Sequence, residues 1–118
     1  MTKISNWLSV PDASAAVAFY SAAFGAAELD RLEGDGGTLE VAHLSTDGAD
    51  FWVQRDPGAS PTGEPVRMIL SVDDPDAVFA AAIAAGATEI NPVAEGHGWR
   101  VGRIADPSGH HWEIGRLL

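Results

Sequence analysis

Asp106-Pro107-Ser108-Gly109-His110-His111-Trp112-Glu113-Ile114 reads as a chain reversal running straight into a strand. Proline presets φ and the glycine two places later accepts a positive φ, so the segment from Asp106 to Gly109 can turn tightly. From His110 onward the residues alternate. His110, Trp112 and Ile114 share one strand face, while His111, Glu113 and Gly115 share the other. A histidine and a carboxylate therefore leave the sheet in the same direction, and the preceding turn decides which residues do so.

Working outward, the same punctuation recurs upstream. Ile4 to Val10 reads as a strand, with Ile4, Leu8 and Val10 on one face and Ser5, Trp7 and Ser9 on the other. Pro11-Asp12 ends it, and Asp12 or Ser14 can cap a helix from Ala13 to Phe24 that Gly25 terminates. Strands are expected at Ala27 to Glu33, Thr38 to Ser45 and Ala49 to Gln54, divided by the glycine turns at 34–37 and 46–48. Arg55 to Pro65 has no periodicity and reads as a linker or mobile loop. The order then starts again. Val66 to Val72 is a strand, and Asp74 caps a helix with Pro75 at its first position. That helix presents Val78, Phe79, Ala82 and Ile83, and Gly86 closes it. Short strands follow near Thr88 to Asn91, Trp99 to Ala105 and His110 to Arg116. Val10 matches Val72, Asp12 matches Asp74, Gly25 matches Gly86 and Gly48 matches Gly109, an offset of 61 or 62 residues.

The chain thus divides into two βαβββ modules, about 1–54 and about 66–118, joined by the linker 55–65 within one domain spanning 1–118. Two copies are too few for a solenoid. The expected architecture is α+β, with a cupped mixed sheet whose helix-facing sides are apolar and whose opposite faces meet around a shared concave surface.

Composition excludes several functions. Seven Lys and Arg against a net charge of −10 leave no basic stripe for nucleic acid or anionic membranes. No apolar run approaches a membrane span and the N-terminus lacks the apolar core of a signal peptide, so a cytoplasmic location is expected. Cysteine is absent, which leaves His, Asp and Glu as the metal ligands to consider. There is no Ser-His-Asp spacing, phosphate-binding glycine loop or dinucleotide motif.

The pattern resembles the vicinal oxygen chelate superfamily: glyoxalase I, the bleomycin-resistance proteins and the extradiol dioxygenases. The resemblance rests on Leu8-Ser9-Val10-Pro11-Asp12, Ala18-Phe19-Tyr20 and Phe24-Gly25 in the first module. In the second it rests on Leu70-Ser71-Val72-Asp73-Asp74, Ala85-Gly86-Ala87 and the opening stretch, which looks most like a glyoxalase-like subgroup named for phosphonate operons. The resemblance implies cups built within a chain or between two copies, and a homodimer is expected. It also implies four metal-ligand positions, which here fall on Ser5, Trp52 (or Gln54 in another register), Arg67 and Glu113. Only Glu113 keeps a ligand residue, and a cationic Arg67 opposes a metal.

The leading expectation is metal-independent binding of a small aromatic or amphiphilic molecule, with Ser5, Trp7, Trp52, Gln54, Arg67, His111 and Glu113 lining the cup. An Arg67–Glu113 ion pair is expected where related enzymes hold their metal. The competing readings are a glyoxalase-type lyase or isomerase, with Glu113 as general base and Arg67 stabilising an oxyanion, and an accessory interaction domain with a filled cup. A shifted divalent-metal site of His111, Glu113 and His43 is a further alternative. Trp99 is a third candidate wall. His97 in Glu95-Gly96-His97-Gly98 reads as a surface loop that could serve as a lid. Trp112 is expected in the core under the second helix, with His110 as a structural neighbour.

Overall fold

The computed structural model describes residues 1–63 and 65–118; within the expected linker, Glu64 falls outside them. The first half runs β1 (Trp7–Val10), α1 (Ala13–Phe24), β2 (Ala27–Glu33), β3 (Leu39–Thr46) and β4 (Ala49–Arg55). The second runs β5 (Arg67–Ser71), α2 (Pro75–Ala84), β6 (Thr88–Gly96), β7 (Trp99–Ala105) and β8 (His111–Leu117). The fold is α+β and the βαβββ repeat is present in both halves. The strands form two four-stranded sheets, β1-β4-β3-β2 and β5-β8-β7-β6. In each, the first and last strands of the module pair in parallel and the remaining pairs are antiparallel.

Local chemistry sets the helix ends. The Asp12 carboxylate accepts from the Ala15 amide and the Asp74 carboxylate from the Ala77 amide, each satisfying a helix N–H that lacks an internal partner. Pro75 occupies the first turn of α2, where its missing N–H costs nothing. Gly25 ends α1 in the left-handed region at φ 66°.

One core serves both modules. Leu8, Val10, Leu44, Phe51 and Val53 face α1 from the first sheet, and Met68, Leu70, Ile104 and Ile114 face inward from the second. The helices α1 and α2 pack on each other. Trp112 is buried as expected, on a strand that packs against α2, and its ring reaches across to the first module: it lies 5.4 Å from Tyr20, 5.0 Å from Phe24 and 5.3 Å from Phe51. Because both sheets turn their helix-facing sides to this common core, their opposite faces look outward from it. In place of a broad shared surface, the outward faces approach each other within one chain at a small cleft lined by Asp50 of the first sheet and Ile69 of the second.

The Asp106 turn is locked by one buried carboxylate. Its Oδ1 accepts from the amides of Ser108, Gly109 and His110, each at 3.0 Å. Its Oδ2 accepts from the Tyr20 hydroxyl and, at 3.0 Å, from Trp112 Nε1. A residue from each module thus converges on the same carboxylate. His110 is satisfied structurally, donating through Nε2 to the Ser9 carbonyl at 2.8 Å.

Several boundaries differ from the sequence expectation. β1 starts at Trp7, leaving Ile4 91% exposed and Ser5 ahead of the strand, because the chain there has no sheet face to cover it. β6 continues through Pro92 to Gly96, with register shifts at Glu89/Asn91 and Asn91/Ala94. A proline is tolerated there because β6 is an edge strand and its bulges omit the missing donor. The segment around His97 is a tight hairpin turn instead of a loop, with His97 at φ 54° and Gly98 at φ 80° joining β6 to β7. No helix among the described residues is long and apolar enough to cross a membrane.

Candidate functional site

Each outward sheet face carries its own set of side chains. On the first sheet, the register pairs Trp7 with Trp52 and His43 with Trp52, so three rings on adjacent strands point the same way. They form a ladder. Trp7 and Trp52 lie 5.8 Å apart at 20°, and His43 lies 3.9 Å from Trp52 at 5°. Both ends are tied. Trp7 Nε1 donates to Gln54 Oε1 at 2.7 Å, and His43 donates through Nε2 to Asp50 at 2.7 Å. Lys3 donates to the same Asp50 carboxylate at 2.8 Å. The Lys3 ammonium and then His43 hold the Asp50 carboxyl down at about 2, below its ordinary value of 3.8. Trp7 remains 52% exposed, and a cavity of about 180 Å³ opens beside the ladder among Asp30, Leu32, Val41, His43 and Trp52.

On the second sheet, Arg67 and Glu113 do share a face, with Arg67 Nε 3.8 Å from Glu113 Oε2. A second arginine completes the arrangement: Arg103 on β7 stands opposite Glu113, with its guanidinium 3.4 Å from Oε1. A cavity of about 290 Å³ lies next to them, lined by Ile69, Gly96, His97, Trp99, Val101 and Glu113. Its walls are mostly apolar, with the carboxylate on one side and the hairpin tip on another.

The structure therefore brings Trp7, Trp52 and Gln54 together on one face, and Arg67, His111 and Glu113 together on the other. Ser5 stands apart, exposed ahead of β1. His111 is buried, and Gly63 of the linker sits against its ring so closely that a Cβ there would lie 2.3 Å from Cδ2. The linker that reads as loose is in contact with β8, and the imidazole is turned to it. His43 is on the other sheet, committed to Trp52 and Asp50, so the alternative set of His111, Glu113 and His43 is not assembled in one chain. Among the described residues, no group of three metal-ligating side chains converges.

Arg103 and Asp50 escaped the sequence reading. Both were within reach of parity: Arg103 lies four residues after Trp99 on one strand, and Asp50 two before Trp52. Nothing marked them without knowing which strands were neighbours.

A doubled βαβββ module, with a cavity on the outer side of each sheet, defines the class of fold. The chain belongs to the glyoxalase-like domain family of the vicinal oxygen chelate superfamily, whose model matches residues 6–115. It is 39% identical to the uncharacterized protein Mb0911c of Mycobacterium bovis, over 90% of this chain and 77% of that one. The structure is similar to TioX from Micromonospora sp. ML1, at TM-score 0.78 and 28% identity, covering 99% of this chain and 97% of that one. It shares its fold with TnmS3, an antibiotic binding protein from Streptomyces sp. CB03234, at TM-score 0.69 and 21% identity, covering 99% and 98%.

Proposed function

We propose that the chain is a metal-independent binding protein for a small planar or amphiphilic molecule, working as a homodimer. The observation that carries this is the ladder of Trp7, Trp52 and His43: three stacked rings with their ends tied and an edge left open beside a cavity. A flat apolar molecule can pack its face against the open edge of such a ladder, and tied rings lose little freedom on binding. The description of TnmS3 as an antibiotic binding protein lends the reading support from a relative of the same fold.

The donor set does not fit a divalent cation. The four positions that the superfamily uses hold a serine hydroxyl, an indole already stacked on both sides, a guanidinium and one carboxylate. That carboxylate faces two guanidiniums, which would repel a metal.

The outward faces support the homodimer. Each cup is half built in one chain, with stacking rings and Asp30 on one sheet and Arg67 and Arg103 on the other. Large apolar side chains stand exposed on both, Leu32 at 62% and Ile69 at 61%. Exposed apolar surface of this kind marks an interface, and opposite charges favour bringing the first sheet of one copy over the second sheet of another.

Titration of fused-ring aromatic compounds into EDTA-treated protein, followed by tryptophan fluorescence, tests the reading. Saturable binding that is unchanged by EDTA and weakened at least tenfold by Trp52→Ala is the expected result. Stoichiometric metal after untagged purification, with binding lost on its removal, would overturn metal independence. No binding at all would favour an interaction domain with a filled cup.

A further inference from the structure

We infer that the second sheet's outward face is an anion-recognition site, so that the molecule bound carries a carboxylate, phosphate or similar anionic group. This rests on the small-molecule reading above and specifies the ligand's charge.

The first ground is charge segregation. The chain as a whole carries −10, yet by register Glu113 is the only carboxylate among the described positions sharing its face on β5 to β8. Arg67 and Arg103 stand on that face beside it, so the cluster keeps one positive charge in surplus. The field of an acidic protein repels anions at a distance, so a local cationic floor is what selects them at contact.

The second ground is that neither guanidinium is used up. Elsewhere in this chain Arg100 grips Asp76 with two nitrogens at 2.7 Å each, the geometry of a closed guanidinium–carboxylate pair. Arg103 makes a single long hydrogen bond to Glu113, at 3.4 Å, and Arg67 stands 3.8 Å from the same carboxylate. Each guanidinium has five N–H donors, and a single carboxylate cannot satisfy two of them. Arg103 Nε is buried with no partner among the described residues. A charged donor left unpaired is costly, and the guanidinium nitrogens that Glu113 leaves unsatisfied can take up an oxyanion.

The third ground is the position of the apolar wall. Ile69 follows Arg67 by two residues on β5, and Val101 precedes Arg103 by two on β7, on the same face. A cationic end therefore runs into an apolar cavity along the strands, the layout that suits an amphiphile with an anionic head. Glu113 sits at the boundary. It is shared between the two guanidiniums, so neither is neutralised by a carboxylate of its own.

The probes are 2-naphthoate, its neutral analogue 2-naphthamide, and inorganic phosphate, measured by calorimetry at matched ionic strength. Naphthoate is expected to bind at least tenfold tighter than naphthamide. The ratio should fall to near one in Arg67→Gln, an exposed position whose replacement leaves the core intact, and in Arg103→Met. Glu113→Gln removes the competing carboxylate and should tighten naphthoate without affecting naphthamide, a response that a purely structural ion pair would not give. Equal binding of the two aromatics overturns the anion inference and leaves the small-molecule reading in place. Binding of phosphate and naphthoate without naphthamide supports the anion site and tells against stacking as the main contact. Binding of none of the three overturns both.

Discussion

At the scale of single residues, Asp106 carries the most structure per atom. Replacing it with alanine leaves three amides, a tyrosine hydroxyl and an indole N–H without their acceptor. Asp106→Ala is expected to lower unfolding free energy in urea by at least about 3 kcal/mol, and Tyr20→Phe by about 1–3 kcal/mol. Burial, reinforced by the Asp106 charge, pushes the Tyr20 hydroxyl well above its usual value of 10.0. A raised folded value means the contribution is whole below pH 10 and declines as pH rises beyond it, so the difference between wild type and Tyr20→Phe should shrink only in strongly alkaline solution. Asp50 behaves in the opposite sense. Its folded value is depressed to about 2 from 3.8, so its contribution is present above about pH 4 and is lost as pH falls towards 2. Asp50→Asn should therefore match wild type in acid unfolding near pH 2 and fall below it at pH 6. The turn was legible in the sequence because Asp-Pro-Ser-Gly prescribes backbone angles locally. The carboxylate's long-range partners were not, because Tyr20 is 86 residues away and only the shared core brings it there.

Among elements, the linker changed most between sequence and structure. Its composition promised mobility, yet it docks on the start of β8 at two glycines. A Cβ at Gly109, where φ is +107°, would lie 2.3 Å from the Pro61 carbonyl oxygen. Gly109→Ala is expected to cost at least about 2 kcal/mol, from backbone strain plus the clash. Gly63→Ala, at φ +70° against the His111 ring, should release the linker while leaving the sheets paired. Limited proteolysis between residues 56 and 66 would then quicken several-fold with little change in the urea midpoint. Sequence periodicity found both helices, their caps and most strands because those depend on neighbours in the chain. It shortened β6, because Pro92 and two bulges break the alternation on which a strand is recognised. It lengthened β1, because Ile4 has the right parity but nothing to pack against.

At the scale of the whole molecule, the deciding fact is where Trp112 goes. By crossing under α1 it joins both modules through their helix-facing sides and turns the other sides outward. Sedimentation equilibrium at micromolar concentration should report twice the chain mass, and a monomer there would remove the pairing of half-cups. Module repetition could be read from the sequence. Which sides of the modules meet could not, since both arrangements use the same apolar positions and differ only in which copy covers the remaining faces.

That outward division has a genetic consequence. On the proposed pairing, every chain gives its first sheet to one cup and its second sheet to the other. A Trp7→Ala/Trp52→Ala chain and an Arg67→Gln/Arg103→Met chain should each be deficient alone, one lacking rings in both cups and the other lacking guanidiniums in both. Mixed together after subunit exchange, they form hybrid dimers in which all the damage gathers in one cup and the other is native. About a quarter of the sites should recover full affinity in an equal mixture, given random reassortment of a two-fold dimer. Two defective proteins would rescue each other, an outcome that a cup closed within one chain could never produce.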